Sequence, residues 1–261
     1  MLPSRLRHRE HLTGDDLAAL LAGDPGQAAK AILSAAKDGV LTAQTMLGQL
    51  LLDGRGIQRD QGLAVTWFRI AAQQGDAMAH NMLGRCLEYG WGVEASAQDA
   101  AKHFKHASDA GLDWGQYNYA NLLATGRGVE KNQQQAFALY QRAAEQGHAK
   151  SMNLLGRFYE DGVTVTADPT TALHWYRRSA IAGDFRGQYS LAGMLAAQGL
   201  ISEAEAWLRK ALQGGNLNFL RATRAALWQA PSNAIKQIAR DYYRRAAELG
   251  DDSDRQAYAA L

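Results

Sequence analysis

The chain has 261 residues, of which 21% are charged and 47% are hydrophobic, and its formal net charge at pH 7 is only +2. This balance provides no bulk electrostatic attraction to nucleic acid or anionic lipid, so neither is expected as a partner. No apolar run approaches the roughly 20 residues that span a bilayer, and the basic N-terminus lacks the apolar segment of a secretory signal, so we expect no membrane insertion and a cytoplasmic location.

From residue 43 onwards, the predicted elements repeat with a period of 36 residues. Small residues return at each step, at positions 43, 79, 115, 151 and 187, and small residues also recur five positions later. In the first copy, the apolar residues of Ala43–Gly54 lie on one helical face, and a second helix is predicted from about Asp60 to Gln74. A period of roughly 20–50 residues indicates a solenoid, in which each unit buries its core against its neighbours.

The period predicts the domain organisation of the whole chain. Five repeats are expected at 43–78, 79–114, 115–150, 151–186 and 187–215, followed by a degenerate sixth repeat at 216–250 and a C-terminal capping helix at 251–261. Residues 1–42 are expected to form an N-terminal extension and capping helices, in which Ala28–Gly39 matches a second helix and residues 15–22 supply a short partner. The predicted fold is an all-α, right-handed α-solenoid of antiparallel helix pairs with twelve to fourteen helices.

The recurring small residues predict close packing between the two helices of a repeat. Helices approach to about 8–10 Å only where the side chains at the crossing are small. Gly48 is therefore expected to face Ala64 or Ala71 of the second helix. Aromatic pairs such as Trp67–Phe68 are expected to fill the layer between successive repeats.

The repeat also has a recognisable consensus, A-x-x-x-L-G-x-x-L-x-x-G-x-G-V followed by A-x-x-W-Y-x-x-A-A-x-x-G. Two copies are AQTMLGQLLLDGRGI with AVTWFRIAAQQG, and SMNLLGRFYEDGVTV with ALHWYRRSAIAG, in which Thr164 replaces the second loop glycine. This pattern resembles the SEL-one-like repeats, a branch of the tetratricopeptide-type helical repeats, strongly over 43–215 and weakly over 216–250. The resemblance implies a helical scaffold or adaptor that binds other proteins. One cysteine is too few for the secreted, disulfide-rich members, so their penicillin-related activity is not implied.

Three positions on the first helix of each repeat share one face and are not dictated by the scaffold. The second and fourth repeats carry Asn, Arg and Glu there, whereas the third and fifth carry Tyr and no charge. Asn amides bind peptide backbone, Arg binds carboxylates through two hydrogen bonds, and Tyr offers a flat apolar surface with a polar tip. These side chains are predicted to form one continuous concave strip that binds a protein or peptide partner: Asn81, Arg85, Glu88, Tyr117, Asn121, Asn153, Arg157, Glu160 and Tyr189.

Two alternatives remain open at this point. The first is that Arg85–Glu88 and Arg157–Glu160 are surface ion pairs at i, i+3, each worth a few tenths of a kcal/mol. The second is that the chain is a regulatory or assembly factor that uses its convex or terminal surface, as a monomer or a weak dimer.

The sequence offers little for catalysis or for a cofactor. His103 and His106 lie at i, i+3, but His103 takes the position of Trp67, so we expect packing and no metal. Gly126-Arg127-Gly128 follows a helix and lacks the Lys and Ser/Thr of a phosphate-binding loop. Cys86 replaces Leu50 in the core stripe and is expected to be a buried hydrophobe. Since no catalytic motif is present, we expect neither enzymatic activity nor a cofactor.

Overall fold

The structure is a computed structural model that describes residues 23–261. The predicted helix within residues 15–22 lies outside the described residues. The described residues form fourteen α-helices and no strand, as the 36-residue period predicts. In chain order these are α1 (Pro25–Lys37), α2 (Leu41–Asp53), α3 (Gln61–Gln73), α4 (Ala77–Tyr89), α5 (Ala97–Asp109), α6 (Asp113–Thr125), α7 (Gln133–Glu145), α8 (Ala149–Asp161), α9 (Pro169–Ile181), α10 (Phe185–Ala197), α11 (Ile201–Gly214), α12 (Leu217–Trp228), α13 (Asn233–Leu249) and α14 (Asp252–Ala259).

The described residues divide into two compact units, the first ending at Lys131 and the second covering Asn132–Leu261. In the first unit, each helix from α1 to α6 packs on the next, and α4 also contacts α6. In the second unit, successive helices pack from α7 to α11 and from α12 to α14, while α8 contacts α10 and α11 contacts α13. Contacts between next-but-one helices are typical of stacked helical repeats, in which each helix pair buries its apolar face on the next pair. Below, α2, α4, α6, α8 and α10 are called the first helices, and α3, α5, α7, α9 and α11 the second helices.

Glycines end four of the first helices in the left-handed conformation. The φ angles of Gly54, Gly90, Gly126 and Gly162 lie between 65° and 77°, a region in which other residues are strained. The second loop glycine, for example Gly92, is also left-handed, and a Cβ there would clash with the Gln61 carbonyl. No described non-glycine residue has a positive φ, so the loop at Thr164 takes a different conformation.

Glycines inside the first helices lie beneath an aromatic ring of the second helix. A Cβ added at Gly84 would lie 2.6 Å from the Phe104 ring, and one at Gly156 would lie 2.6 Å from the Tyr176 ring. The same contact joins Gly48 to Phe68, so the prediction that Gly48 faces Ala64 or Ala71 is wrong. The physical reason is that an aromatic ring lies directly on the glycine backbone, which leaves no room for a side chain. This second aromatic therefore packs within its own repeat rather than between repeats.

Cys86 belongs to the core of the first unit. Its side chain is 0% exposed, in line with the prediction of a buried hydrophobe. Burial raises the pKa of the thiol to about 11, which keeps it protonated at neutral pH.

The C-terminal helix α14 is fixed to α12 by a buried carboxylate. Asp254 is 0% exposed and accepts hydrogen bonds from Arg221 and, at 2.7 Å, from Arg224 Nη1. The hydrogen bonds from Arg221 are the main reason that the pKa of Asp254 lies well below its usual range. This network holds α12, whose first two turns contribute to the site described next.

Within residues 23–261, no helix combines the length and apolar character that a membrane span requires.

Candidate peptide-binding site

A pocket of about 350 Å³ opens on the second unit, between the first helices of repeats four and five and the start of α12. Its volume lies at the lower end of the range for ligand pockets, roughly 300–1,000 Å³. Its lining residues are Asn153 and Arg157 from α8, Arg186, Tyr189 and Ser190 from α10, and Asn218, Phe219, Ala222 and Thr223 from α12.

The charge of the pocket comes from two arginines. Arg157 and Arg186 are both exposed, and no acidic residue lines the pocket. Within residues 23–261, neither arginine forms an ion pair with a carboxylate. The Arg186 guanidinium lies 4.7 Å from the centre of the Phe185 ring, a cation–π contact that holds the side chain in place. The pocket therefore carries two positive charges that no described carboxylate neutralises.

Asn153 contributes a buried amide to the same pocket. Its side chain is 4% exposed, and its Oδ1 atom has no hydrogen-bond partner within the described residues. Leaving such an acceptor unsatisfied costs about 1–3 kcal/mol.

One wall of the pocket is aromatic. The rings of Tyr189 and Phe219 meet edge to face, with centres 5.7 Å apart, and Phe219 also contacts Phe185 at 4.8 Å. Burial raises the pKa of Tyr189 above its usual value. These contacts fix the wall and present apolar surface beside the two arginines.

In the first unit, the corresponding polar groups are used within the fold. Asn81, the counterpart of Asn153 two repeats earlier, is 2% exposed and accepts a 2.8 Å hydrogen bond from Asn118 Nδ2. The Arg85 guanidinium lies 5.1 Å from the Trp91 ring centre, and Trp114 stands where the second unit has Arg186. Side chains of the first unit therefore satisfy groups that the second unit leaves available.

The two predicted glutamates have partners other than the arginines on their own helices. Glu88 forms an ion pair with Arg127, and Glu160 Oε2 accepts a 2.5 Å hydrogen bond from the Tyr176 hydroxyl. The i, i+3 ion pairs of the alternative interpretation are not formed among the described residues.

The structure brings together part of the predicted set. Asn153, Arg157 and Tyr189 share the pocket, whereas Tyr117 and Asn121 are half-buried in the first unit and Glu160 faces Tyr176. Asn81 and Asn153 were expected on an open surface, yet both are almost fully buried. Asn81 accepts a hydrogen bond from Asn118, and Asn153 is one of the residues that line the pocket. The binding role of these residues stays a prediction.

Sequence reasoning missed six residues of the pocket: Arg186, Ser190, Asn218, Phe219, Ala222 and Thr223. Arg186 lies one turn before Tyr189 on the same helix, so the i, i+3 spacing could have identified it. Asn218 and Phe219 could not be found in this way, because the poorly patterned α12 gives no repeat register.

A sequence model of the Sel1 repeat matches six segments, residues 41–76, 77–112, 115–148, 149–184, 186–216 and 230–251. The chain belongs to the Sel1 repeat family.

Solved structures with similar folds include other Sel1 repeat proteins. A Sel1 repeat protein from Oxalobacter formigenes is 26% identical, with a TM-score of 0.73 and coverage of 90% of this chain and 97% of that one. A protective antigen of uropathogenic Escherichia coli with an SLR fold is 28% identical, with a TM-score of 0.67 and coverage of 92% of this chain and 54% of that one. This chain therefore spans about half the length of the E. coli protein.

An immunity protein from Pseudomonas aeruginosa shares the fold alone, with 16% identity, a TM-score of 0.54 and coverage of 80% of this chain and 81% of that one. None of the curated proteins matches the chain significantly in sequence.

A histidine cluster lies on the second Sel1 repeat. His103 Nδ1 lies 3.0 Å from His80 Nδ1, and the His106 ring stacks on His80 with centres 4.8 Å apart. Burial is the main cause that lowers the pKa of His103 to about 4, with further lowering by His80 and His106. Within residues 23–261, no group of three or more His, Cys, Asp or Glu side chains has a geometry that could hold a metal ion.

Proposed function

We propose that this Sel1 repeat chain is a non-enzymatic interaction module that binds a peptide segment of a partner protein along the exposed faces of its first helices. Sel1 repeat proteins are generally scaffolds for protein interactions. The observation that carries the proposal is the second-unit pocket, in which neither Arg157 nor Arg186 has a carboxylate partner among the described residues.

The chemistry of the proposed surface suits a peptide. Amide groups pair with main-chain N–H and C=O groups, and arginines bind acidic groups. In the proposal, each unit presents its own contacts. The first unit presents Arg85, Tyr117 and Asn121, since Asn81 and Glu88 are already held by Asn118 and Arg127. The second unit presents Asn153, Arg157, Glu160 and Tyr189.

Charge reversal tests this proposal. Peptides are first selected with the purified chain from a displayed library of random nonapeptides, and their affinities are then measured with Arg85→Glu combined with Arg157→Glu. We expect the affinity to fall more than tenfold and its salt dependence to weaken, because both changes replace attraction of acidic groups by repulsion.

The matched control is Arg142→Glu combined with Arg177→Glu, which makes the same charge change at exposed positions on the second helices. It should leave binding within twofold. Equal losses from the two double variants would place binding elsewhere, and a library that yields no peptide would refute the proposal.

A further inference from the structure

Three histidines meet between the two helices of the second repeat. His80 lies on α4 and faces His103 and His106 on α5. We propose that the His80–His103 contact is a proton-sensitive joint: it holds the start of α4 against α5 while the pair shares a single proton between its facing nitrogens, and a second proton there opens it within the folded chain. The packing of the first unit then depends on pH.

The distance between the two rings fixes how many protons the contact holds. His80 Nδ1 and His103 Nδ1 are 3.0 Å apart, which suits one donor and one acceptor. A neutral imidazole has one N–H and one acceptor nitrogen, whereas a protonated ring donates from both nitrogens and accepts at neither. The contact therefore persists when one ring is charged, but two charged rings would place two N–H groups against each other.

The joint replaces neutral side chains that other repeats have at the same places. At the place of His80, the first, third and fifth repeats have Gln44, Gln116 and Gln188. Gln44 and Gln188 each donate a 3.3 Å hydrogen bond to the backbone carbonyl eight residues earlier, which joins the helix to the one before it. The place of His103 holds tryptophan or leucine in the first, third and fourth repeats. Since the ordinary pKa of histidine lies near neutral pH, the second repeat alone has a proton-sensitive pair here.

Charged groups from three sides act on the pair. Asp76, which caps α4, and Asp99 on α5 each favour protonation of the nearer ring, whereas His106 on α5 and Arg69 on α3 oppose it. Burial is the largest cause and lowers the pKa of both rings. The pair therefore takes up its second proton only below neutral pH.

Burial also prevents the charged rings from turning apart within an unchanged fold. His106 is exposed and can turn into water, but His80 and His103 are half-buried. One turn further along α4, the Phe104 ring lies on Gly84 and fixes the two helices there. The opening is therefore confined to the start of α4 and the end of α5.

Hydrogen–deuterium exchange locates the opening, and it needs no ligand, so its outcome is independent of the proposed function. Wild type is compared at pH 7 and at about pH 4.5 with His80→Gln, which introduces the residue of the first, third and fifth repeats. At the lower pH, amides in residues 77–83 and 105–112 should exchange about tenfold faster in wild type than in the variant. At pH 7 the two proteins should agree, and amides of α2 should agree at both pH values.

Histidine NMR of the wild-type chain is a second measurement that depends on no variant. One ring of the pair should take up a proton first, with the contact between the His80 and His103 rings preserved. Uptake of the second proton should coincide with loss of that contact, while circular dichroism remains helical.

Two further variants separate the pair from its surroundings. His106→Ile introduces the residue that the first repeat has at position 70, and it should move the opening to higher pH, because His106 opposes protonation of both rings. His174→Gln removes an exposed histidine of the second unit and should leave the opening unchanged.

Three results would overturn the proposal. The first is equal exchange of wild type and His80→Gln at about pH 4.5, and the second is an NMR spectrum in which both rings are charged and still in contact. The third is loss of the helical signal at the same pH as the opening, since the chain would then unfold as a whole.

Discussion

Asn81 in the first unit and Asn153 in the second occupy the same place in repeats that are two periods apart, yet they have different surroundings. Asn81 accepts a hydrogen bond from Asn118, whereas Asn153 lines a pocket and its buried Oδ1 has no partner among the described residues. The helices around both residues are built on the same glycine and aromatic contacts. The comparison teaches that the scaffold is constant and that a few side chains decide whether its surface is closed or open.

Three replacements account for the difference. From the first unit to the second, Asn118 becomes Ser190, Trp91 becomes Val163 and Trp114 becomes Arg186. The first two remove internal partners of the amide and the arginine, and the third adds a second cation. Together they leave the second unit with two arginines and a buried amide oxygen that have no carboxylate or donor partner among the described residues.

The largest loss of stability is expected from substitution of the helix glycines that both units share. Gly84→Leu and Gly156→Leu should each lower the free energy of unfolding by about 1–3 kcal/mol or more, because any side chain there collides with Phe104 or Tyr176. Urea denaturation of the two variants measures both effects.

Gly193→Leu on α10 is the control, since a Cβ at Gly193 meets no atom within 4 Å. It should leave the unfolding midpoint nearly unchanged. A clear loss at Gly84 without one at Gly156 would show that the units do not share a scaffold.

A smaller loss of stability, which depends on pH, is expected from the histidine cluster in the first unit. Because burial and the nearby His80 and His106 lower the pKa of His103 to about 4, the folded state resists a proton that the unfolded chain takes up near pH 6.5. Stability should therefore be constant above about pH 6.5 and fall as the pH drops towards 4. We expect a loss of about 1–2 kcal/mol, because His103 is only half-buried and solvent screens its charge.

The neighbours of the cluster define the control for this prediction. Asp99 favours the charged form of His103, and Arg69 opposes it. In His103→Leu, which introduces the residue that the third repeat has at position 139, the loss between pH 7 and 4.5 should shrink to the part that His80 contributes, because burial and His106 lower the pKa of His80 as well. An unchanged pH dependence in this variant would show that the cluster is not its source.

Much of the fold is predictable from the sequence because the repeat period fixes which residues are small, apolar or glycine. The C-cap glycines at 54, 90, 126 and 162 followed directly from that period. The partner of Gly48 did not, since spacing identifies a contact position without identifying which residue fills it. The recurring small residues indicate that a neighbouring group approaches closely, and only the structure shows that at Gly48 this group is the Phe68 ring.

The site is predictable only in part. Helical spacing and the repeat period identified Asn153, Arg157 and Tyr189 as residues of one surface. Phe219 could not be identified in this way, because it lies on α12, where the repeat period is lost. Whether an Asn is satisfied also depends on a side chain from another helix. The sequence did not single out the difference between Asn118 and Ser190. Neither residue lies at one of the three first-helix positions whose charge differs between repeats.

The most direct test of the difference between the units compares Asn81→Leu with Asn153→Leu by the free energy of unfolding without ligand. Asn81→Leu removes a hydrogen bond and leaves Asn118 Nδ2 without its acceptor, so stability should fall by about 1 kcal/mol. Asn153→Leu removes an acceptor that has no partner among the described residues, so stability should stay the same or rise by about 1 kcal/mol. Equal losses in the two variants would contradict the account, because they would show that Asn153 is as fully satisfied within the fold as Asn81.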